Sequence, residues 1–438
     1  MRFMAADVAN ATRGALTGQN AHLDGVSFDS RTLRPGQLFV PIVAERDGHD
    51  FIDDAIARGA GAYLTQRTPQ GRRTAITVPD TLHALIDLAR WGRDRLEATT
   101  KGRVVGITGS VGKTSTKDFA RAALAGALRT AASDKSFNND QGLPVTILNA
   151  PDDTEALVVE MGMRGFGEIA RLCSIARPTI GVVTAVAEAH TERVGGLDGV
   201  AKAKGELIAS LPPDGTAILN ADDDRVAAMH GLTSARIVTY GFSASADVAC
   251  TEHVVGDDGR VSMSVRSPWG ATRVEVPVPG MHMASNSLAA IAIAGVCGVD
   301  AEVAAAGIAS TSLSPMRMET VVTARGARIL SDCYNANPAS MRAALETLAS
   351  MPASRRVAVL GLMAELADAS REHAAIAEVA RSLRVEIVAV GTDAYGVAPV
   401  GVDEAADTLN ALGADAVGLV KGSRVAALER VVSALRRR

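Results

Sequence analysis

The run Val104-Val105-Gly106-Ile107-Thr108-Gly109-Ser110-Val111-Gly112-Lys113-Thr114-Ser115-Thr116 constrains this chain more than any other stretch. An apolar, β-branched segment leads into glycines at 106, 109 and 112, then Lys113 and Thr114, then a stretch rich in Ala and Leu. Strand, glycine loop, Lys-Thr and helix together spell a phosphate-binding loop. Glycines let consecutive backbone N–H groups turn inward on a polyphosphate, and the new helix aims its positive end at the same anion. Thr108, Gly109, Ser110, Val111 and Gly112 would then line a nucleotide. Lys113 would reach its outer phosphates, and the Thr114 hydroxyl would hold Mg²⁺. Ile107 replaces the first glycine of G-x-x-x-x-G-K. One competing reading is a glycine-rich turn with no ligand. A dinucleotide site is the other, but the G-x-G-x-x-G spacing is absent and Lys-Thr has no task there.

Composition narrows the classes. The chain has 438 residues, room for roughly two to four domains. Aromatics make up only 3%, so the cores must be aliphatic; this suits α/β layers and argues against base-stacking platforms. Net charge is −4 with no long basic run, so no nucleic-acid partner is expected. Cys173, Cys250, Cys297 and Cys333 have neither metal nor redox spacing and read as reduced thiols of a cytoplasmic protein. The start, Met1-Arg2-Phe3-Met4-Ala5-Ala6-Asp7, is not a secretory signal. No apolar run approaches the ~20 residues of a membrane span.

Patterning divides the chain into units 1–98, 99–312 and 313–438. The first reads as a small mixed α/β domain. Val26-Ser27-Phe28-Asp29-Ser30-Arg31 and Leu38-Phe39-Val40-Pro41-Ile42 are strand-like, and Leu82, Leu85, Ile86, Ala89 and Leu96 share one helical face. The polar stretch 97–102 is the expected linker. The central unit reads as a parallel-sheet, ATPase-like domain. Its strand Ala156-Leu157-Val158-Val159-Glu160 ends in a carboxylate. Ligands of parallel α/β sheets bind at the carboxyl ends of strands, so Glu160 would face the same crevice as Lys113. The alternative is a helix N-terminal charge. A strand over 179–184 precedes a polar loop with Glu188 and His190, and a helix over 199–210 carries Lys202, Lys204 and Glu206. Asp222-Asp223-Asp224 suggests metal or, more simply, a solvated turn. From 236 to 280, short alternating strands with a hairpin at Gly256-Asp257-Asp258-Gly259 form an antiparallel patch. Thr311-Ser312-Leu313-Ser314-Pro315 is the second linker. Beyond it a βα rhythm restarts at 328–332, 357–361, 385–391 and 417–422, which predicts a Rossmann-like, doubly wound domain. It has no phosphate loop, so it is expected to complete a site rather than own the nucleotide.

Several motifs carry a resemblance. In the first unit they are Asp29-Ser30-Arg31, Pro35-Gly36-Gln37-Leu38-Phe39-Val40 and Asp47-Gly48-His49-Asp50-Phe51-Ile52. In the second they are the phosphate loop, Asn138-Asn139 with Gly142-Leu143-Pro144, Ala201-Lys202-Ala203-Lys204-Gly205-Glu206 and Asn220-Ala221-Asp222-Asp223. In the third they are Asp332-Cys333-Tyr334-Asn335-Ala336-Asn337-Pro338-Ala339-Ser340-Met341-Arg342 and Val420-Lys421-Gly422-Ser423-Arg424. Nearly end to end, the chain resembles the Mur ligases, which build the peptide of bacterial peptidoglycan. The third-unit motifs point to the branch that adds a dipeptide. The sequence departs from the family at Met283, Leu362, Ala185 and Glu188.

The resemblance implies an ATP-dependent, ADP-forming amide ligase. Its substrates would be UDP-N-acetylmuramoyl-tripeptide and D-alanyl-D-alanine, joined through an acyl phosphate. The catalytic residues would be Lys113, Glu160, His190 and Lys204. Two Mg²⁺ sites are implied: Thr114 and Glu160 at one, His190 and a CO₂-derived carbamate of Lys204 at the other. Asn286, Arg317 and Asp332 would lie on the nucleotide side. Ser30, Arg31 and His49 would contact the uridine nucleotide, and Asn335 and Asn337 the dipeptide or peptide carboxylate. A monomer is expected. The alternatives are a ligase of the same family using a single amino acid, a phosphate-loop kinase, and a non-catalytic nucleotide-binding protein.

Overall fold

The structure, a computed structural model, describes residues 1–69, 73–133, 136–188 and 194–436. His190 lies outside the described residues. Three bodies of sheet follow one another along the chain.

The central body is a nine-stranded sheet. Its order is Gly270–Pro279, Arg260–Ser267, Val248–Val255, Arg236–Gly241, Thr216–Asn220, Ile180–Val183, Val104–Thr108, Ala156–Glu160 and Thr130–Ala132. From Thr130–Ala132 through Val248–Val255 the pairs are parallel, and the last two strands add antiparallel. The phosphate-loop strand Val104–Thr108 is flanked by Ala156–Glu160 and Ile180–Val183. Both faces are covered, which explains why these strands read as continuous apolar runs. Val105, Ile107, Val158, Val182 and Ile218 face Phe119, Leu288 and Ile291, whereas Val104, Leu157, Val159, Val183 and Leu219 face Leu148, Leu172 and Leu207. The antiparallel patch is present, but its strands are eight to ten residues long rather than short. Alternating polar residues on their exposed face hide that length from a search for apolar runs.

The C-terminal body is a five-stranded sheet ordered Glu319–Val322, Arg328–Ser331, Ala416–Lys421, Arg355–Leu360 and Glu386–Ala389. Strand pairs are parallel except at the Glu319–Val322 edge, which sequence patterning had not signalled. Successive strand residues alternate faces. Ile329, Val357, Val359 and Val420 pack with Leu409 and Val431, while Leu330, Ala358, Leu360 and Leu419 pack with Leu345 and Ile376. Helices thus cover both faces, as the doubly wound reading expects.

The first body holds a two-stranded and a five-stranded sheet. The 97–102 stretch is a short helix, Glu97–Thr100, followed by left-handed Lys101 and Gly102, rather than a plain linker. Across the junction, the Asn149 side chain imitates a neighbouring strand. Its Oδ1 accepts from Val26 N at 2.9 Å and its Nδ2 donates to Val26 O at 3.0 Å. Buried Arg93 donates from Nε to Ala176 O at 2.8 Å. These contacts fix the first body against the central sheet.

Candidate active site

The loop 109–112 forms because its glycines do what side chains would obstruct. Gly109 and Gly112 have φ of +151° and +84°. A Cβ at 109 would sit 1.9 Å from Thr184 Oγ1, and one at 112 would sit 2.4 Å from Asn286 Oδ1. The end of the adjacent strand braces the loop. The Thr184 hydroxyl is 2.5 Å from Val111 O, Ser110 N donates to Ala185 O at 2.8 Å, and Ser110 Oγ donates to Ala187 O at 2.9 Å. The helix Lys113–Ala125 begins at Gly112. Lys113 Nζ donates to Gly109 O at 2.7 Å.

Glu160 ends its strand in the same crevice, as its position predicted, and is 1% exposed. Its Oε2 accepts from Thr114 Oγ1 at 2.7 Å and its Oε1 accepts from Asn138 Nδ2 at 2.8 Å. Ser136 Oγ lies 3.2 Å from Thr114 Oγ1. Arg317 Nη2 donates to Thr114 Oγ1 at 2.9 Å, and its guanidinium packs 4.4 Å over the Tyr334 ring. Lys204 enters from the helix Leu197–Ala209 and is 2% exposed. Burial, reinforced by the charge of Lys113, holds the Lys204 amine well below the ordinary lysine range. Lys113 is also lowered by burial; Glu160 opposes that shift and Arg317 adds to it. Lys202 points elsewhere: it is exposed, 5.5 Å over the Phe166 ring.

The C-terminal body closes the opposite wall. Asp332 pairs with buried Lys421, whose Nζ also donates to Asn335 O at 3.1 Å. His282 faces this pair from the central helix Met281–Val296. Burial pushes its imidazole down to about 4; Asp332 opposes the shift and Lys421 assists it. The loop, Glu160, Lys204, Arg317, Asp332 and Asn335 all line one cavity of about 540 Å³. Asn286 and Asn337 line it too.

Asn337 already has a structural task. Its Oδ1 accepts from Ser340 N at 2.9 Å, capping the helix Pro338–Ser350 in a reciprocal box with Ser340. Asn337→Ala is therefore expected to lower stability by ~1 kcal/mol, the worth of an N-cap. The check is the urea midpoint; an unchanged midpoint would show that the cap contributes nothing.

Three expected substrate contacts lie outside this cavity. His49 is buried with both ring nitrogens engaged: Nδ1 is 2.6 Å from Asp47 Oδ1, and Nε2 accepts from Gln66 N at 3.0 Å. The ring therefore organises its own loop, with no nitrogen left for a ligand. Arg31 is exposed and held bidentately by Asp29, with Nε and Nη2 at 2.9 and 2.8 Å. Ser30 is buried beside it. The aspartate turn is also structural. Asp222 accepts from Phe242 N and Ser243 N, and Asp223 from Val186 N. Sequence reasoning assigned no role to Ser136, Asn138, Tyr334 or Lys421. The run Asn138-Asn139 was the one signal near the first two.

Fold and site define a phosphate-loop α/β protein of three bodies, with a second sheet domain facing the loop. Residues 107–294 match the Mur ligase middle domain, and residues 316–437 match the Mur ligase, glutamate ligase domain. The chain belongs to the Mur ligase family. It is 38% identical to the UDP-N-acetylmuramoyl-tripeptide–D-alanyl-D-alanine ligase of Escherichia coli (strain K12), with 96% of each chain covered. Among solved structures it is similar to MurF from Acinetobacter baumannii, with a TM-score of 0.88, 28% identity, and 100% and 99% of the two chains covered. It is also similar to the MurF ligase from Thermotoga maritima in complex with ADP, with a TM-score of 0.81, 26% identity, and 94% and 97% covered. Among the described residues, no helix is long and apolar enough to cross a membrane.

Proposed function

We propose that this chain is an ATP-dependent, ADP-forming peptide ligase that adds D-alanyl-D-alanine to UDP-N-acetylmuramoyl-tripeptide in peptidoglycan synthesis. The observation that carries this reading is the shared cavity. A phosphate loop forms one wall and the Asp332-to-Ser340 segment the other, so a phosphoryl donor and an amine acceptor meet in one cleft. A peptide carboxylate oxygen attacks the γ-phosphorus, the bond to the β-phosphate oxygen breaks, and ADP leaves. The dipeptide amine then attacks the acyl carbon, inorganic phosphate leaves, and the amine gives up a proton.

The residues take roles that their surroundings support. Lys113 and the backbone N–H groups of the loop bind the polyphosphate, and burial strengthens their hold. Thr114 and Glu160 fit Mg²⁺: they offer hard oxygen atoms, and this ion accepts few protein ligands when phosphates supply the rest. When bound, Mg²⁺ neutralises charge on the transferring phosphoryl group. Ser136 and Asn138 orient those two ligands. A carbamate on Lys204, together with His190, would serve a second Mg²⁺. Asn286, Arg317 and Asp332 belong to the nucleotide side, and Asn335 to the acceptor side. Ser30 and Arg31 remain the uridine-side candidates. We also infer domain boundaries near 98 and 312 and a monomeric, cytoplasmic enzyme.

The test is phosphate release from ATP and UDP-N-acetylmuramoyl-tripeptide with D-Ala-D-Ala, D-Ala, D-Glu or L-Lys. D-Ala-D-Ala is expected to win by about a hundredfold or more in kcat/KM, because a site built for polar partners rejects acceptors that leave them unpaired. A single amino acid preferred over the dipeptide would move the chain to another branch of the family. Phosphate release independent of any acceptor would indicate a phosphate-loop kinase or ATPase, and nucleotide binding without turnover a binding module.

A further inference from the structure

Arg317 sits on a strap between the central and C-terminal bodies. The strap is tied at both ends: Ser314 N donates to Asp118 Oδ2 at 2.8 Å, and Tyr334 N donates to Met316 O at 3.4 Å. Asp118 is itself buried and paired with buried Lys117 at 2.8 Å. On either side of Arg317 the backbone is left-handed at a residue with a side chain, with φ of +64° at Met316 and +53° at Met318. Such conformations persist only where the surroundings over-determine them, and they cluster at sites that use the strain. Met318 is fully buried, and Met316 packs against the C-terminal core. The consequence of the double bend is that Arg317 turns inward onto the phosphate-loop helix.

What it does there is unusual for a guanidinium. Nη2 serves Thr114 Oγ1 at 2.9 Å and Ser136 Oγ at 3.3 Å, while Nε is buried with no partner. The group normally brings five donors in a fork suited to carboxylate or phosphate. The Thr114 hydroxyl gives its proton to Glu160 Oε2 and accepts from Arg317 Nη2. A hydroxyl has one proton and two lone pairs. With that proton on Glu160, Ser136 Oγ, 3.2 Å away, donates to the second lone pair, so Arg317 occupies acceptor capacity that a metal ion would need, and it adds positive charge beside the same carboxylate.

We propose that Arg317 competes with the divalent cation for the Thr114 hydroxyl, which makes metal loading conditional on a polyphosphate that draws the guanidinium away. A polyphosphate offers the anionic oxygens that Nε and the rest of the fork lack here. Metal and nucleotide affinities are then positively coupled through this side chain, and the coupling is reciprocal. The inference rests on the reading of Thr114 and Glu160 as metal ligands.

The experiment is Mn²⁺ binding to the full-length protein, followed by electron paramagnetic resonance with and without a non-hydrolysable ATP analogue. Wild type, Arg317→Ala, Arg317→Gln and Glu160→Gln are compared, with circular dichroism to confirm folding. Without nucleotide, both Arg317 variants are expected to bind Mn²⁺ roughly tenfold tighter than wild type, within the usual range of such couplings. The gain in Mn²⁺ affinity on adding the analogue should shrink accordingly. A merely structural arginine would not tighten metal binding when removed. Unchanged or weaker Mn²⁺ binding in the folded Arg317 variants, with the site still lost in Glu160→Gln, would overturn the competition and leave the metal reading standing. Unchanged Mn²⁺ binding in Glu160→Gln would overturn the metal reading, and the competition with it. If Arg317→Ala fails to fold, Arg317→Gln decides, since it keeps a hydrogen-bonding side chain and removes the charge.

Discussion

Lys113→Ala is expected to lower ligase turnover by about a hundredfold to a thousandfold, the scale seen when one preorganised charge-stabilising group is removed. The reason lies in where the ammonium sits. Burial lowers its affinity for a proton, Glu160 offsets this in part, and its Nζ is anchored on Gly109 O at 2.7 Å. A cation held half-buried in a crevice interacts with phosphate charge more strongly than one in solvent. It also costs the folded protein desolvation energy that no ion pair on Lys113 returns among the described residues. Removing it should therefore spare the fold while emptying the site of its main phosphate charge. Single-turnover phosphate release and the thermal unfolding midpoint together check this. Turnover near that of wild type in a folded variant would remove Lys113 from the chemistry. A collapsed midpoint would show that the ammonium is structural.

The reach of the sequence differs from residue to residue. Glu160 was legible because the rule that ligands sit at strand carboxyl ends needs only a strand and its last residue. The βα rhythm of the third unit was legible because strands buried on both faces read as apolar runs. Glu319–Val322 was not, since this antiparallel edge strand exposes alternate residues. Ser136 reaches Thr114 from an irregular segment, where no periodicity reports direction. His49 shows the converse. Its motif marks it clearly, yet the structure gives both ring nitrogens to Asp47 and Gln66, a pairing that depends on a residue seventeen positions away. Arg317 carried only a resemblance. Its inward direction comes from left-handed turns at two methionines, and methionine is not a residue type that advertises such turns. Lys421 and Asp332, eighty-nine positions apart, meet because adjacent parallel strands end together.

Lys204→Ala is expected to lower turnover by roughly a hundredfold, while Lys202→Ala changes it little. The two lysines are two residues apart on the helix Leu197–Ala209 and point in different directions. Lys202 is exposed over Phe166, a contact worth at most ~1 kcal/mol of stability. Lys204 is buried, and its pKa lies well below 10.5 through burial and then the charge of Lys113. In the window between that lowered value and 10.5, the unfolded chain binds the proton and the folded chain does not. Stability contributed by this group therefore rises with pH across the window. The same shift favours a neutral amine, the form that captures CO₂: the nitrogen bonds to carbon, a proton leaves, and a lysine becomes an anion with two oxygen atoms. Such an anion suits a hard cation, whereas an ammonium beside Lys113 and a metal would be repelled. Acetate or another short carboxylic acid is expected to restore part of the activity of Lys204→Ala and none of that of Lys113→Ala. Removal of CO₂ and bicarbonate should depress the wild type but leave Lys204→Ala unaffected. The reverse ranking of the two lysine variants would place the modified group at 202. Full activity in both would end the carbamate argument and leave Thr114 and Glu160 as the proposed metal ligands.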